Sequence, residues 1–176
     1  MSGTKSKNKG KTFEREIANF LSETYDASFT RVPHSGAFVG GKNVVRKEQL
    51  DEEQIRAFKS DIIPPTGWAK LNIECKNYAD FPFHALLRVN DIPLLDTWIS
   101  QTLEAADEGD FNLIIMKFNR KGRFVMFEKD ASASRIGFRQ HLNPGLQHAH
   151  YKGWLIVDFD EFWVANKDLV RELSQG

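Results

Sequence analysis

In the stretch DIIPPTGWAKLNIECKN (61–77), Asp61 opens one short apolar run, and Glu74 and Lys76 interrupt the next. Leu71, Ile73 and Cys75 alternate with Asn72, Glu74 and Lys76, the two-residue period of a strand. The apolar set faces the core, so Glu74 and Lys76 share the opposite face. A Pro-Gly turn joins this strand to the one that Asp61 opens, which brings a second carboxylate towards Glu74. Two carboxylates that close repel, and a pKa rises unless a cation lies between them. A hard divalent ion such as Mg²⁺ takes oxygen ligands of this kind and keeps waters that can react. Such an ion lowers the pKa of a bound water and stabilises charge building on a phosphate. Lys76 would orient that water or neutralise the developing oxyanion. These residue types suit phosphodiester hydrolysis. An acid-x-Lys triplet alone is weakly specific, and an exposed salt bridge on an edge strand is the plain alternative. That alternative needs no second acid on the preceding strand.

The elements that must position these groups follow from periodicity. Phe13, Ile17, Ala18, Phe20 and Leu21 recur at helical spacing, which predicts a helix from Lys11 to about Tyr25. ASFTRVP (27–33) predicts a strand, HSGAFVGGKN a loop, and 46–59 a helix with a thin stripe of Leu50, Ile55 and Phe58. SDIIPP and AKLNIECK read as two strands. IPLLDTWISQTLEAADEG suits a helix with Pro93 in its first turn and Gly109 at its end. Residues 111–118, 123–129 and 153–159 read as further strands, and 160–173 as a closing helix. The order α-β-(insert)-β-β-α-β-β-…-β-α predicts a mixed sheet with helices packed on it.

Composition bounds the rest. At 176 residues, 41% hydrophobic and 12% aromatic, the chain fits one globular domain rather than a disordered one. It has no internal repeat and no second core. A flexible basic N-terminal arm is expected over 1–10, ahead of a single domain over 11–176 with an insert at about 37–59. Net charge is zero, which disfavours coating of nucleic acid by bulk attraction, yet Lys5, Lys7, Lys9 and Lys11 precede the first acid. That arm would engage phosphates locally or merely solubilise the chain. No apolar run is long enough to span a bilayer, and the N-terminus lacks a signal-like apolar segment. The single cysteine, Cys75, excludes an intramolecular disulfide framework. A reducing, cytoplasmic location without membrane contact is expected.

Asp61 … Glu74-Cys75-Lys76 resembles the signature of the PD-(D/E)XK nuclease superfamily, with Ser60 where the motif's name has proline. The element order resembles that superfamily's restriction-endonuclease-like core, an α/β fold with a central mixed sheet flanked by helices. KGKTFEREIANFL (9–21) followed by FTRVPHSG (29–36) is similar to the opening of archaeal-type Holliday-junction resolvases. The resemblance implies that Glu14 completes a metal site with Asp61, Glu74 and the backbone carbonyl of Cys75, and that Lys76 is the catalytic lysine. It implies DNA phosphate contacts at Arg31 and Ser35, joined by Lys9, Lys11 and Arg15. The cofactor would be Mg²⁺, with Mn²⁺ able to substitute. Branched DNA is the implied substrate, and a homodimer would match the twofold symmetry of a four-way junction. The long stretch between Ser35 and Asp61 departs from the resolvase pattern. A restriction-like or nicking endonuclease on linear duplex DNA, or a catalytically inactive DNA-binding module of the same fold, are the alternatives.

Other features have plainer readings. Glu14 also fits an ordinary solvated helix face, and Glu16 lies about 200° round the helix from it. SGAFVGGKNVVRK lacks the Gly-Lys-Ser/Thr ending of a nucleotide-binding loop. His148 and His150 alternate as a metal pair would, but exposed histidines explain them better. His34 stands near the expected site. Gln101 is either a helical glutamine beside the site or simply exposed.

Overall fold

The structure, a computed structural model, describes residues 3–33, 60–88, 91–129 and 147–175, with side chains from residue 8 onward. The expected helix at 46–59, the insert, Ser35 and His34 lie outside the described residues. Helix α1 (Gly3–Tyr25) leads into β1 (Thr30–Arg31), and β2 (Ile62–Ile63) precedes β3 (Leu71–Tyr78). A short 3₁₀ helix (Phe83–Leu87) and α2 (Pro93–Ala105) follow. Then come β4 (Phe111–Phe118), β5 (Gly122–Glu128), β6 (His148–Tyr151), β7 (Trp154–Asp158) and α3 (Phe159–Gln175).

Five strands form one sheet in the order β3-β4-β5-β7-β6. β3 runs parallel to β4, and the remaining neighbours are antiparallel, so the sheet is mixed. A parallel neighbour requires a crossover, and α2 supplies it. β4 is buried along nearly its whole length, as its unbroken FNLIIM run requires of a strand covered on both faces.

Alternation sorts the core into two layers. Leu71, Ile73, Leu113, Ile115, Val125 and Phe127 point to the face covered by α1 and α3. Ile114, Met116, Met126 and Ile156 point to the other face, under Leu95 and Trp98 of α2. Each such side chain contributes about 1.5–3 kcal/mol on leaving water. The result is an α/β sandwich of helix, sheet and helix.

The structure differs from the expected elements in three places. The first helix starts at Gly3 rather than Lys11, so most residues of the expected arm lie within its opening turns. α2 stops at Ala105, because Gly109 adopts φ 78° in a turn that the Asp110 carboxylate closes on the Asp107 N–H. The histidines expected to be exposed in a loop or strand start lie on β6. It pairs antiparallel with β7, and its one buried side chain, Tyr151, accepts the Ile92 N–H at 2.6 Å.

A polar ladder crosses the α2 side of the sheet. Asn72 of β3 donates to the Thr102 carbonyl at 3.0 Å and to Asn112 Oδ1 at 2.8 Å; Asn112 of β4 donates to Glu128 of β5. These bonds satisfy two buried amides and fix the last turn of α2 over β3.

Candidate active site

β3 is an outer strand of the sheet, and the groups singled out by spacing gather along its free side. The hairpin expected between β2 and β3 takes a different form: β2 pairs antiparallel with β1. Asp61, just ahead of β2, hydrogen-bonds across to β3. Its N–H donates to the Ile73 carbonyl at 3.0 Å, and its Oδ2 accepts the Cys75 N–H at 2.8 Å. Asp61 thereby supplies one residue's worth of missing ladder, and this holds its carboxylate, 7% exposed, beside Glu74. The N–H and C=O of one strand residue point to the same side, so the Cys75 carbonyl faces the same free edge.

Glu14 comes to this edge from the α1 side. Phe13 and Ile17 are fully buried, and Glu14 falls in line with buried Ala18 and Leu21 at i+4 and i+7. The carboxylate is therefore carried under the helix, 9% exposed, rather than out on the solvated face. Arg31 of β1 donates Nε to Glu14 Oε2 at 2.5 Å. The solvated reading of Glu14 is thus excluded, while Glu16 is turned away and pairs with Lys117 at 2.7 Å and Arg123 at 3.4 Å.

Glu74 and Lys76 share the opposite face of β3, as the period predicts. Lys76 Nζ donates to Glu74 Oε1 at 2.6 Å and to Gln101 Oε1 at 2.7 Å. Both side chains of the pair are more than four-fifths covered, so this is not the exposed edge-strand salt bridge. Gln101 is the residue that spacing left undecided. Its signal was its place one residue before buried Thr102, on the turn of α2 that the Asn72 ladder pins above β3.

The electrostatics follow from this crowding. Burial, then the Asp61 and Glu14 charges, push the Glu74 carboxyl up to about 7 against the pull of Lys76. Burial and the Asp61 charge also raise Glu14, against Arg31 and Lys11. Burial and the same three carboxylates hold the Cys75 thiol far above its usual range, so it stays protonated. Three acids, from α1, from the residue before β2 and from β3, therefore gather at a single edge, with Arg31, Lys76 and Lys11 as the cations acting on them.

That donor set, hard carboxylate oxygens, is chemically suited to a divalent cation. Among the described residues, however, no group of three or more acidic, histidine or cysteine side chains is arranged to hold a metal ion. Glu14 and Glu74 are instead turned onto Arg31 and Lys76.

Of the expected phosphate contacts, Lys9, Lys11 and Arg15 are exposed on α1, and Arg31 is engaged by Glu14. The Lys9 carbonyl accepts the Asn77 amide at 3.2 Å, which ties the start of α1 to the end of β3. Among the described residues no helix is long and apolar enough to cross a membrane.

Residues 5–172 match the model of a family described as "Phage putative PDDEXK endonuclease". No curated protein and no solved structure matches the chain significantly.

Proposed function

Since the chain belongs to this phage PD-(D/E)XK endonuclease family, which makes it a nuclease with DNA as substrate, we propose that it cuts phosphodiester bonds at the free edge of β3. The observation that carries this reading is the convergence of Glu14, Asp61 and Glu74, with Lys76 beside them, in a half-enclosed site where burial and the Asp61 charge raise the carboxyls of Glu14 and Glu74. Nucleases of this superfamily generally use divalent metals. Mg²⁺ is the ion proposed, with Mn²⁺ as a substitute, held by Asp61, Glu74, Glu14 and the Cys75 carbonyl. When bound, the ion would supply an activated water and charge neutralisation at the phosphate.

The chain's own residues do the remainder. Lys76, held between Glu74 and Gln101, orients the attacking water and meets the charge that develops on the phosphate. Arg31, now paired with Glu14, would be free to meet a phosphate oxygen with Glu14 engaged by a cation. Exposed Lys9, Lys11 and Arg15 contact the backbone as it passes over α1.

Branched DNA is the proposed substrate, on the likeness of residues 9–36 to the opening of junction resolvases, with a homodimer placing two sites across the branch. The setting would be recombination or repair in the cytoplasm. A gel assay of purified protein on a synthetic four-way junction and a matched linear duplex, with Mg²⁺ or EDTA, tests both levels. Cutting that needs Mg²⁺ and is lost in Glu74→Ala supports the nuclease site. Persistent cutting by that variant overturns it, and equal cutting of the duplex overturns the branched substrate alone.

A further inference from the structure

At the C-terminal ends of β3 and β4 an open cleft of about 710 Å³ is lined by Asp80, Lys117, Asn119, Arg120 and Lys121 among others. Its polar lining carries three cations and one carboxylate. Asp80 is bound by Lys121 at 2.6 Å, and Lys121 also donates to the Phe81 carbonyl. Lys117 is held by Glu16. Arg120 has no ion-pair partner among the described residues. It sits exposed at the tip of the β4–β5 turn with φ 60°, a left-handed conformation that a non-glycine residue adopts at a cost. The turn is fastened to β3, since the Asn119 N–H donates to the Tyr78 carbonyl at 3.3 Å.

The register sets how far this cleft lies from the chemistry. Lys76 is opposite Met116 and Tyr78 is opposite Phe118. Lys117 stands level with Asn77, one residue beyond Lys76, and at about 3.3 Å per strand residue the far lining, from Ala79 to the Arg120 turn, begins roughly 10 Å beyond Lys76. A DNA strand advances about 3.4 Å per nucleotide along its axis, so this gap spans about three nucleotides. In open sheets ligands gather outside the carboxyl ends of parallel strands, and β3 and β4 end here side by side.

We propose that this cleft is a second phosphate-binding site, in which Arg120, flanked by Lys121 and Lys117, grips the sugar-phosphate backbone of DNA about three nucleotides from the bond being cut. The contact reads charge and not sequence, because it meets phosphate oxygens rather than base edges. Its partner is a phosphodiester chain long enough to reach from Lys76 to the turn. The inference rests on the nuclease reading for its direction, since only cleavage at the β3 edge makes the spacing meaningful.

The test uses the full chain, a fluorescent duplex oligonucleotide in EDTA, and anisotropy between about 50 and 200 mM salt. Arg120→Gly removes the cation and suits the positive φ, so it does not threaten the fold; Arg120→Glu reverses the charge, and Arg120→Lys should rescue. Loss of one phosphate contact should reduce the slope of log affinity against log salt by about 0.9. With Mg²⁺, KM should rise several-fold while kcat is kept, because the contact is equal in ground and transition states. Lys167→Ala, on α3, should change neither. If Arg120→Glu keeps the wild-type slope and KM while the wild type cuts, the cleft assignment is overturned and the nuclease reading stands. If the wild type binds with an Arg120-dependent slope but never cuts, the phosphate contact at Arg120 stands, and both its spacing from a scissile bond and the nuclease site fail. If it neither binds nor cuts, both fail.

Discussion

Asp61 Oδ2 accepts the backbone N–H of Cys75 at 2.8 Å, one residue beyond Glu74 and one before Lys76. A single side chain thus finishes the outer edge of the sheet and adds its charge to the acids there. The two tasks can be separated. Asp61→Asn keeps an oxygen for the Cys75 N–H, whereas Asp61→Ala leaves that donor without its partner. Urea unfolding should show Asp61→Ala losing about 1–3 kcal/mol and Asp61→Asn much less. Neither variant should cleave DNA. Equal stability of the two would disprove the edge role.

Stability in EDTA should also report the strain of the acid cluster. The Glu74 carboxyl titrates near 7, above its unfolded value of 4.5. A raised carboxyl binds its proton more tightly when folded, so the stabilisation is full below about 4.5 and is lost as pH rises through about 7. Glu74→Gln mimics the protonated form. It should flatten this slope and be more stable than wild type by about 1–3 kcal/mol at pH 8. Urea midpoints at pH 5 and pH 8 decide the matter; parallel profiles for the two proteins would refute it.

Mg²⁺ relieves the same repulsion if it occupies the edge. Thermal unfolding should shift upward with added Mg²⁺, by about 1.4 kcal/mol when the free ion reaches ten times its Kd. The shift should vanish in Asp61→Asn. A wild-type melting curve indifferent to the ion would count against a site preformed without DNA.

Gln101 positions Lys76 from the second element. Replacing it by Ala leaves Lys76 free to lean wholly on Glu74. Single-turnover cleavage should slow by about 10–100-fold, since small misplacements of a reacting group cost that much. DNA affinity in EDTA should be unchanged. A change in affinity without a change in rate would assign Gln101 to substrate contact instead.

Much of this arrangement was legible before any coordinates. The alternation in LNIECK fixed which side chains share a face of β3, and FNLIIMKF (111–118) read as the strand that β4 is. The resemblance of the motif to PD-(D/E)XK nucleases agrees with the family that the chain matches. What was not legible depends on contacts between distant elements. Glu14 reads as a solvated position until Arg31 arrives from β1. Asp61 looks like the start of a hairpin strand because its one reach to β3 leaves no local pattern. Gln101 gains meaning only through the Asn72 bond that sets α2 over β3. β6 reads only as a loop or strand start, because two exposed histidines and one buried tyrosine give too short a period to decide between them.

The Asn72–Asn112 pair has a consequence for how the chain reaches its native pairing. A shift of β3 by one position along β4 would turn Asn72 into the oily layer beneath α1 and bring Ile73 out among the amides. Each stranded amide would cost about 1–3 kcal/mol, and a shift by two would still part the matched pair. The ladder therefore penalises misaligned zippering, and the carboxylate and amine two and four positions further on are delivered to one place only.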